Sequence, residues 1–340
     1  MGIHEAAKTC CDRLGLLAAY HRLANRNTLT VVMFHRVGSG GDADPAYTIS
    51  AGLFGQCLGF FRRHYAVIGM DEVAAALDGR TRLPGRSLLI TFDDGWDDNL
   101  EFAAPQLASL AFPALVFVST EAVVEDSPWW WQEVLLAALR QGRASFERLW
   151  NALPDKEPPP GNSDQILRLL LRYGAYPAAI RWAALAPFMV DDVPRHMLTP
   201  DRLRALAEAG IAIGSHGASH LPLTMIADPV ADLERSRRDL AQMLSDRAGT
   251  AFSFPHGRIS APVISAAFAV GFQALFTSEA ILNMTIHGQP ARILGRIEIP
   301  AHEISDGEGR LQTQRLASWL FLRPRHHLGS LRSLGEAAHD

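Results

Sequence analysis

A largely apolar run that ends in two adjacent carboxylates constrains the fold of this chain more than any other feature. The run covers residues 88–92 (LLITF), Asp93 and Asp94 follow it, and Gly95 lets the chain turn away. Such a run is typical of a strand buried on both faces of a parallel sheet. Successive side chains of a strand point to opposite faces, so both carboxylates can serve one site only if the strand has already ended. The sequence therefore predicts a polar site at the carboxyl end of a buried strand.

Similar strand patterns alternate with helical patterns over most of the sequence. They recur at residues 29–34, 65–68, 114–119, 211–214, 274–277 and 296–299, and one more strand ends at Phe254. About seven strand–helix repeats predict an α/β fold with a parallel sheet, either open or closed into a barrel. With 340 residues and 48% hydrophobic residues, the chain can bury one large core, with or without an inserted subdomain.

Charge and cysteine content narrow the classes of partner and compartment. The net charge of −4 gives no reason to expect a nucleic acid partner. Three cysteines make neither a disulfide framework nor a thiolate metal site, and they suit a reducing compartment. Residues 1–25 lack the residue order of a signal peptide, and no apolar run is long enough to span a bilayer. We therefore expect a cytoplasmic protein, with the inner face of the membrane as a candidate location.

Both ends of the chain predict peripheral helices. Residues 4–25 form an amphipathic pattern with Leu23 on the apolar stripe and His21 away from it. We expect this helix to cap the domain, and the alternative is a membrane-surface or partner helix. Peripheral membrane association through the terminal helices is the corresponding partner prediction. The predicted division of the chain is an N-terminal helix at 1–28, a barrel domain at 29–305 and a helical tail at 306–340.

Residues 121–198 interrupt the strand–helix rhythm. They contain three consecutive tryptophans at 129–131, helical patterns at 132–141 and 163–173, and a proline-rich linker at 158–160. We interpret this segment as an inserted helical subdomain, because no strand pattern occurs in it. The tryptophans are expected to pack between insertion and core, and the alternative is a stacking wall for a sugar ring.

A pair of histidines supplies partners for the carboxylates. His216 and His220 follow a buried strand and are four residues apart, a spacing that places both rings on one side of a helical turn. With one carboxylate they form a His-His-Asp set that leaves coordination positions open for water and substrate. A single aspartate in this place would favour a helix cap or a turn. Two aspartates with the histidine pair on the same rim favour a metal site.

Three motifs in this order resemble the polysaccharide deacetylase (NodB-homology) family of carbohydrate esterases. They are TFDDG at 91–95, GSHxxxH at 214–220 and FxFPHG at 252–257. MFHRV at 33–37 and GRIEIP at 295–300 resemble its branch acting on bacterial exopolysaccharides and cell-surface glycans. The resemblance covers about residues 29–120 and 199–300, and it implies a distorted (β/α)7 barrel.

The same resemblance implies a ligand set and a base. A divalent metal, most often zinc, with cobalt, nickel or manganese as alternatives, would be held by Asp94, His216 and His220. Asp93 would be the general base that deprotonates the attacking water. The substrate contacts are expected from three further residues, with a backbone N–H of the last helping to hold the oxyanion: Trp96, Pro255 and His256.

The sequence departs from the family pattern at three residues that would assist the base. No arginine occurs near Ser253, where the family often carries one to steady the base. We expect Arg296 to reach the base instead. The alternative is that Arg296 forms only a surface ion pair. The late Leu-x-His general acid is missing, and so is a clear counterpart of the motif-four aspartate. We hypothesise that His35, at the end of the first strand, donates the proton to the leaving amine; the alternative is a histidine that caps a strand end.

These observations predict a metal-dependent hydrolase that removes an N-acetyl or related acyl group from an amino sugar. The bond cleaved is an amide but not a peptide bond. The expected substrate is a bacterial polysaccharide or its lipid-linked or nucleotide-linked precursor. One alternative is a non-catalytic glycan-binding protein of the same fold, which the missing helpers would favour. A His-His-Asp non-haem iron enzyme is another, and the parallel α/β pattern and the spare Asp93 argue against it.

Overall fold

The structure is a computed structural model that describes residues 14–38, 47–125, 127, 129–140, 143–155, 158, 165–189, 196–284 and 292–323. The predicted α/β class is confirmed: a nearly closed, barrel-like parallel sheet is surrounded by helices. Twelve strands occur in these residues: β1 Thr28–Phe34, β2 Arg36–Gly38, β3 Thr48–Ser50, β4 Ala66–Val67, β5 Ser87–Phe92, β6 Leu115–Val118, β7 Ala212–Ser215, β8 Ala248–Ser253, β9 Ala274–Thr277, β10 Asn283–Met284, β11 Ile293–Gly295 and β12 Ile297–Glu298.

The barrel strands pair in the order β1-β5-β6-β7-β8-β9-β11, and all of these pairs are parallel. The short β4 pairs with β5, β10 runs antiparallel to β1, and β2 pairs with β3 outside the barrel. Side chains of β1 alternate between the barrel interior and the surrounding helices, so Val31 belongs to the interior cluster while Val32 packs with the helices.

The barrel closes through a broken strand. The strand predicted at 296–299 contains only the second of two segments: β11 precedes it and pairs with β9, and β12 pairs with the opposite edge strand β1. Arg296 stands at the break between them. The side-chain amide of Asn283 bonds to Gly295 on one side and to the Leu29 carbonyl on the other, which ties the two edges together. The closing segment therefore carries Arg296 to the inside of the barrel rim, where its side chain is 1% exposed.

Helices surround the sheet and make up most of the segment predicted as an insertion. Among the described residues they are α1 Leu16–Ala24, α2 Ala51–His64, α3 Met70–Leu77, α4 Ala104–Ser109, α5 Thr120–Val124, α6 Trp131–Leu139, α7 Arg143–Ala152, α8 Gln165–Gly174, α9 Ala178–Leu185, α10 Pro200–Glu208, α11 Pro229–Leu244, α12 Ala261–Val270, α13 Ala301–Ile304 and α14 Thr313–Phe321, with a π-helical turn at Asn99–Ala103. None of them is long and apolar enough to cross a membrane.

The N-terminal helix packs on a different face from the one predicted. His21 is fully buried and its ring stacks on Phe321 of α14 at 4.0 Å, whereas Leu23 is 76% exposed. The hydrogen bond between the His21 ring and Asn25 lets this histidine lie in an apolar setting. Residues 1–13 of the predicted helix and 324–340 of the predicted tail lie outside the described residues.

The segment predicted as an insertion has a hydrophobic core of its own. Trp131 is fully buried, and its ring stacks on Tyr173 of α8 with the ring centroids 6.4 Å apart. Leu135 and Leu149 complete the centre of this cluster, which reaches the barrel rim at Trp96. The prediction that the tryptophans pack between insertion and core agrees with these contacts. The domain boundaries themselves stay a prediction.

Candidate active site

The two carboxylates lie at a sharp turn directly after β5. The backbone N–H of Asp93 still bonds to the Phe34 carbonyl at 3.0 Å, but Asp94 and Gly95 have φ angles of +76° and +92°. A Cβ atom on Gly95 would lie 3.2 Å from Val118, so both the turn and the close approach require glycine. The left-handed backbone of Asp94 ends the alternation of the strand, which allows both carboxylates to face one site.

Asp94, His216 and His220 form a compact ligand set. One ligand atom from each lies within 4.8 Å of the others. Asp94 Oδ1 is 3.6 Å from His216 Nε2 and 3.2 Å from His220 Nε2. Carboxylate and imidazole atoms at this spacing match the donor set of a divalent transition metal with open positions. The residues present therefore fit such a cation.

The remaining polar atoms of Asp94 and His216 are occupied by the protein. The indole N–H of Trp96 donates to Asp94 Oδ2 at 2.9 Å, which leaves Oδ1 for a ligand. His216 Nδ1 lies 2.9 Å from the Ser253 carbonyl oxygen. A carbonyl oxygen can only accept, so Nδ1 carries the hydrogen and Nε2 keeps its lone pair. Both ligands are thus held in the form that binds a cation.

The two histidines do not share a helical turn, contrary to the prediction. Residues 216–220 form an irregular loop in which His220 has a φ of +56°. The carboxylate of Asp232 accepts hydrogen bonds from the backbone N–H groups of Ala218 and Ser219 at 2.8 and 3.0 Å, which supplies the partners a helix would have supplied. Left-handed backbone at a non-glycine residue costs about 1–3 kcal/mol and recurs at functional sites.

Asp93 is held by Arg296 rather than by the ligand set. The guanidinium donates to both carboxylate oxygens, Nη1 to Oδ1 at 2.6 Å and Nη2 to Oδ2 at 2.7 Å. Nη2 also donates to Ser253 Oγ at 2.7 Å. Asp93 Oδ2 lies 3.7 Å from His216 Nε2, so the carboxylate is beside the ligand set. The missing arginine of the β8 motif is thus replaced in space by an arginine from the closing segment.

Burial and neighbouring charge act in opposite directions on these carboxylates. Burial raises the pKa of Asp93, but the charge and hydrogen bonds of Arg296 together with the nearby His216 and His35 outweigh it and hold that pKa below the ordinary value. Burial also raises the pKa of Asp94, and the interactions with His220, His35 and His216 together outweigh it, so this pKa is lowered as well. Burial lowers the pKa of His216 to about 4. Both carboxylates are therefore ionised and His216 is neutral at pH 7, which suits a base and a metal ligand.

His35 lies on the same rim. It is half-buried, its ring contacts Tyr47 at 5.1 Å, and its charge contributes to the lowered pKa of both Asp93 and Asp94. Together with Glu298 it lines a small groove beside the barrel closure. Its position is compatible with a proton donor, and its role stays a prediction.

The three residues expected to contact substrate lie in different surroundings. Trp96 is only 7% exposed, and its ring lies between the Arg36 guanidinium at 4.3 Å and Trp130 at 5.8 Å. Its observed contacts orient Asp94, and a contact with substrate stays a prediction. Pro255 is buried, whereas His256 is exposed next to the ligand His220, with ring centroids 4.7 Å apart.

Sequence reasoning missed two residues of the site. Gln132 accepts a hydrogen bond from the ring of His220, and Asp232 holds the loop between the histidines. Gln132 follows the tryptophan run in the insertion, far from any of the motifs, and no sequence signal identifies it. Asp232 lies in the first turn of α11, where an acidic residue is ordinary.

Comparisons with known proteins agree with this fold. The sequence matches the family model described as Polysaccharide deacetylase over residues 80–275, more than half of the chain. A search of curated protein sequences gives no significant match. IcaB from Ammonifex degensii is similar in structure, with a TM-score of 0.55 and 18% identity over 87% of this chain and 97% of that chain.

Two further solved structures have similar coverage. The Streptococcus pyogenes deacetylase PplD, in complex with acetate, has a TM-score of 0.55 and 16% identity over 86% of this chain and 98% of that chain. A de-N-acetylase from Aggregatibacter actinomycetemcomitans has a TM-score of 0.53 and 18% identity over 79% of this chain and 93% of that chain. At these identities the likeness is one of fold.

Proposed function

This chain belongs to the polysaccharide deacetylase family, and from that premise we propose that it hydrolyses an N-acetyl or related acyl amide on an amino sugar of a glycan. The observation that carries the proposal is the division of labour between adjacent carboxylates. Asp94 points into the His216–His220 pair, while Asp93 is held apart by Arg296. An ionised carboxylate that binds no metal, next to a three-residue ligand set, is the arrangement that amide hydrolysis needs.

The ligand set is proposed to hold a divalent cation. A cation bound by Asp94, His216 and His220 would lower the pKa of a water molecule and polarise the acyl carbonyl oxygen. Zinc is our first choice, because two imidazoles and one carboxylate suit it, with cobalt, nickel and manganese as alternatives.

The chain's own residues then move the protons. Asp93 accepts a proton from the attacking water as the water oxygen forms a bond to the acyl carbon. Until that transfer, Arg296 keeps the carboxylate ionised and fixed in direction. His35 donates a proton to the sugar nitrogen as the C–N bond breaks, so the products are acetate and a free amine. The backbone N–H of His256 is proposed to stabilise the negative charge on the acyl oxygen.

The substrate class is inferred from the family description. The similar PplD structure holds acetate, which supports acetyl as the group removed. We propose a bacterial surface polysaccharide, or its lipid-linked or nucleotide-linked precursor, as the amino-sugar substrate. The arginine on Asp93 removes one reason for a non-catalytic glycan-binding role, since a steadied base is needed only for turnover.

Contact with a membrane is a separate proposal. Leu16, Tyr20 and Leu23 of α1 recur at helical spacing and are 54%, 46% and 76% exposed. An exposed apolar row supports peripheral docking to a lipid surface. The cytoplasmic location at the inner face of the membrane is a further part of this proposal. Flotation with vesicles of anionic phospholipid tests it: Leu16→Ser/Leu23→Ser should lower the bound fraction, and equal flotation of the variant would contradict it.

Acetate release from a panel of substrates tests the proposed reaction. The panel should include N-acetylated polysaccharides, nucleotide-linked and lipid-linked N-acetyl sugars, and N-acetylated peptides as the amide control. We expect release from at least one glycan, loss of release with a chelator, and recovery with zinc or cobalt. Release of neither acetate nor formate from any N-acylated glycan would contradict the proposal.

A further inference from the structure

Gln132 has no part in the proposed proton transfers, yet it contacts a metal ligand from another part of the fold. It lies in the first turn of α6, within the segment predicted as an insertion, and it is 1% exposed. We propose that Gln132 is a positioning residue that fixes the tautomer and orientation of His220, so that the insertion sets the cation affinity of the site. The proposal rests on the cation-binding half of the proposed function and not on its hydrolytic half.

Hydrogen-bond logic fixes the direction of the Gln132 amide. Its Nε2 donates to the Ser219 carbonyl oxygen at 2.9 Å, and its Oε1 lies 2.9 Å from His220 Nδ1. The flipped amide would place two oxygens, neither of which carries a hydrogen, against each other at Ser219. The amide oxygen therefore faces the ring, and Nδ1 of His220 must carry the hydrogen.

The hydrogen on Nδ1 determines what the other ring nitrogen of His220, Nε2, can bind. With the hydrogen on Nδ1, the neutral ring of His220 keeps a lone pair on Nε2, the atom 3.2 Å from Asp94 Oδ1. Metal-binding histidines commonly donate their second N–H to a fixed acceptor, which sets the tautomer and strengthens the ligand. For His216 the acceptor is the backbone carbonyl of Ser253, on the barrel. For His220 it is a side chain of the insertion.

Neighbouring rings restrict His220 without determining its rotation. Trp130 contacts its ring at 4.9 Å and His256 contacts it at 4.7 Å. Aromatic contacts of this kind limit where the ring lies, but they do not select which nitrogen faces Asp94. The hydrogen bond to Gln132 makes that selection. Because Trp130 directly precedes α6, the same turn of the insertion supplies both restraints.

If Gln132 had only a structural role, cation binding would be weakened by a different set of variants. The amide donates to Ser219, so it also ties α6 to the loop between the ligands. Gln132→Leu removes the acceptor and the donor, whereas Gln132→Glu keeps an acceptor for His220 and loses the donor to Ser219. Gln106→Leu is the matched control, since the Gln106 amide donates to the carbonyls of Ala51 and Phe102 at 3.2 and 3.1 Å, away from the site.

Cation binding to the full-length, chelator-stripped protein tests the proposal without any turnover. Zinc affinity is measured by competition with a chromophoric chelator, and the cobalt-loaded protein is examined by visible absorption. We expect Gln132→Leu to bind zinc about 10–100-fold more weakly, with an altered cobalt spectrum. Gln132→Glu and Gln106→Leu should bind close to the wild-type affinity. If Gln132→Leu does not fold, Gln132→Asn, whose amide is one methylene too short to reach, should show the same loss.

Three results would overturn the proposal. Wild-type affinity and an unchanged cobalt spectrum in Gln132→Leu or Gln132→Asn would show that the contact does not orient His220. Equal losses in Gln132→Glu and Gln132→Leu would assign the effect to the bond with Ser219. A wild-type protein that binds the cation but releases no acetate would contradict the proposed hydrolysis alone, whereas one that binds no cation would overturn both.

Discussion

Arg296 and Asp93 form a two-pronged ion pair in the interior of the barrel rim, with N–O distances of 2.6 and 2.7 Å and side chains that are 1% and 4% exposed. The arginine comes from the break in the closing segment between β11 and β12, and the aspartate directly follows β5. The segment that closes the barrel therefore also holds Asp93 in position. A buried pair of this kind costs desolvation, and removing one partner leaves an uncompensated charge inside the barrel.

Removing the arginine should change the pH dependence of activity. Arg296→Met leaves Asp93 buried without its cation, so the pKa of Asp93 rises and the acid limb of the kcat profile moves to higher pH. We also expect a loss of about 3–5 kcal/mol in unfolding free energy, from a buried charge without its partner. Activity profiles and urea unfolding measure the two effects.

Arg292→Met is the matched control for that experiment. Arg292 lies just before β11 and pairs with Asp78 on the surface at 2.6 Å, a kind of pair worth about 0–1 kcal/mol. Its profile and stability should stay near wild type. An acid limb unchanged in Arg296→Met would contradict the role given to the ion pair.

Replacement of His35 tests the proton donor. His35→Ala should lower kcat by about 10²–10⁴-fold, because the leaving amine loses its acid. Zinc affinity should not change, since His35 is not in the ligand set. His302→Ala removes a histidine that is 72% exposed and should behave as wild type. Unchanged kcat and kcat/KM in His35→Ala would end the proposal for this residue.

Trp96→Phe tests whether the indole orients Asp94. The phenyl ring keeps most of the packing against Trp130, but the hydrogen bond to Asp94 Oδ2 is lost. We expect zinc affinity to fall about 10–100-fold. Trp182→Phe removes a comparable bond, from its indole N–H to Glu125 at 2.6 Å, and should leave zinc affinity unchanged. Equal affinities in all three proteins would show that the indole does not tune the ligand.

The lowered pKa of Asp93 predicts a pH-dependent contribution to stability. A carboxyl whose folded pKa lies below its unfolded value of about 3.9 stabilises the fold above that pH, and the contribution is lost as pH falls through the folded pKa. In the chelator-stripped protein, Asp93→Asn should therefore be less stable than wild type at pH 7. The difference should shrink on acidification below about pH 4. Urea unfolding at several pH values measures this, and a pH-independent difference would contradict it.

Local patterns were enough to predict the barrel strands and four residues of the site. The run before Asp93 and the strand before His216 each carry their own signal, and the carboxyl ends of parallel strands meet at one rim. The geometry of the loop was not predictable from spacing, because left-handed residues at Gly217 and His220 and the carboxylate of Asp232 replace the helical turn. Spacing alone does not report such backbone partners.

Contacts between distant parts of the chain were the hardest to predict. Arg296 is 203 residues from Asp93, and its contact with Asp93 was only one of two alternatives predicted from the sequence. Gln132 is 88 residues from His220, in a segment outside every motif. Which side chain reaches a ligand across such a separation is decided by barrel closure and by how the insertion packs, and neither has a local signature.

Metal reconstitution of the stripped protein tests the central claim most directly. Acetate release from a glycan substrate is measured while zinc is added stepwise to wild type and to Asp93→Asn. We predict that wild-type activity rises linearly and stops rising at one equivalent of bound zinc, whereas Asp93→Asn binds one equivalent and releases almost no acetate. Full activity without added metal, or wild-type activity in Asp93→Asn, would contradict the division of labour between Asp93 and Asp94.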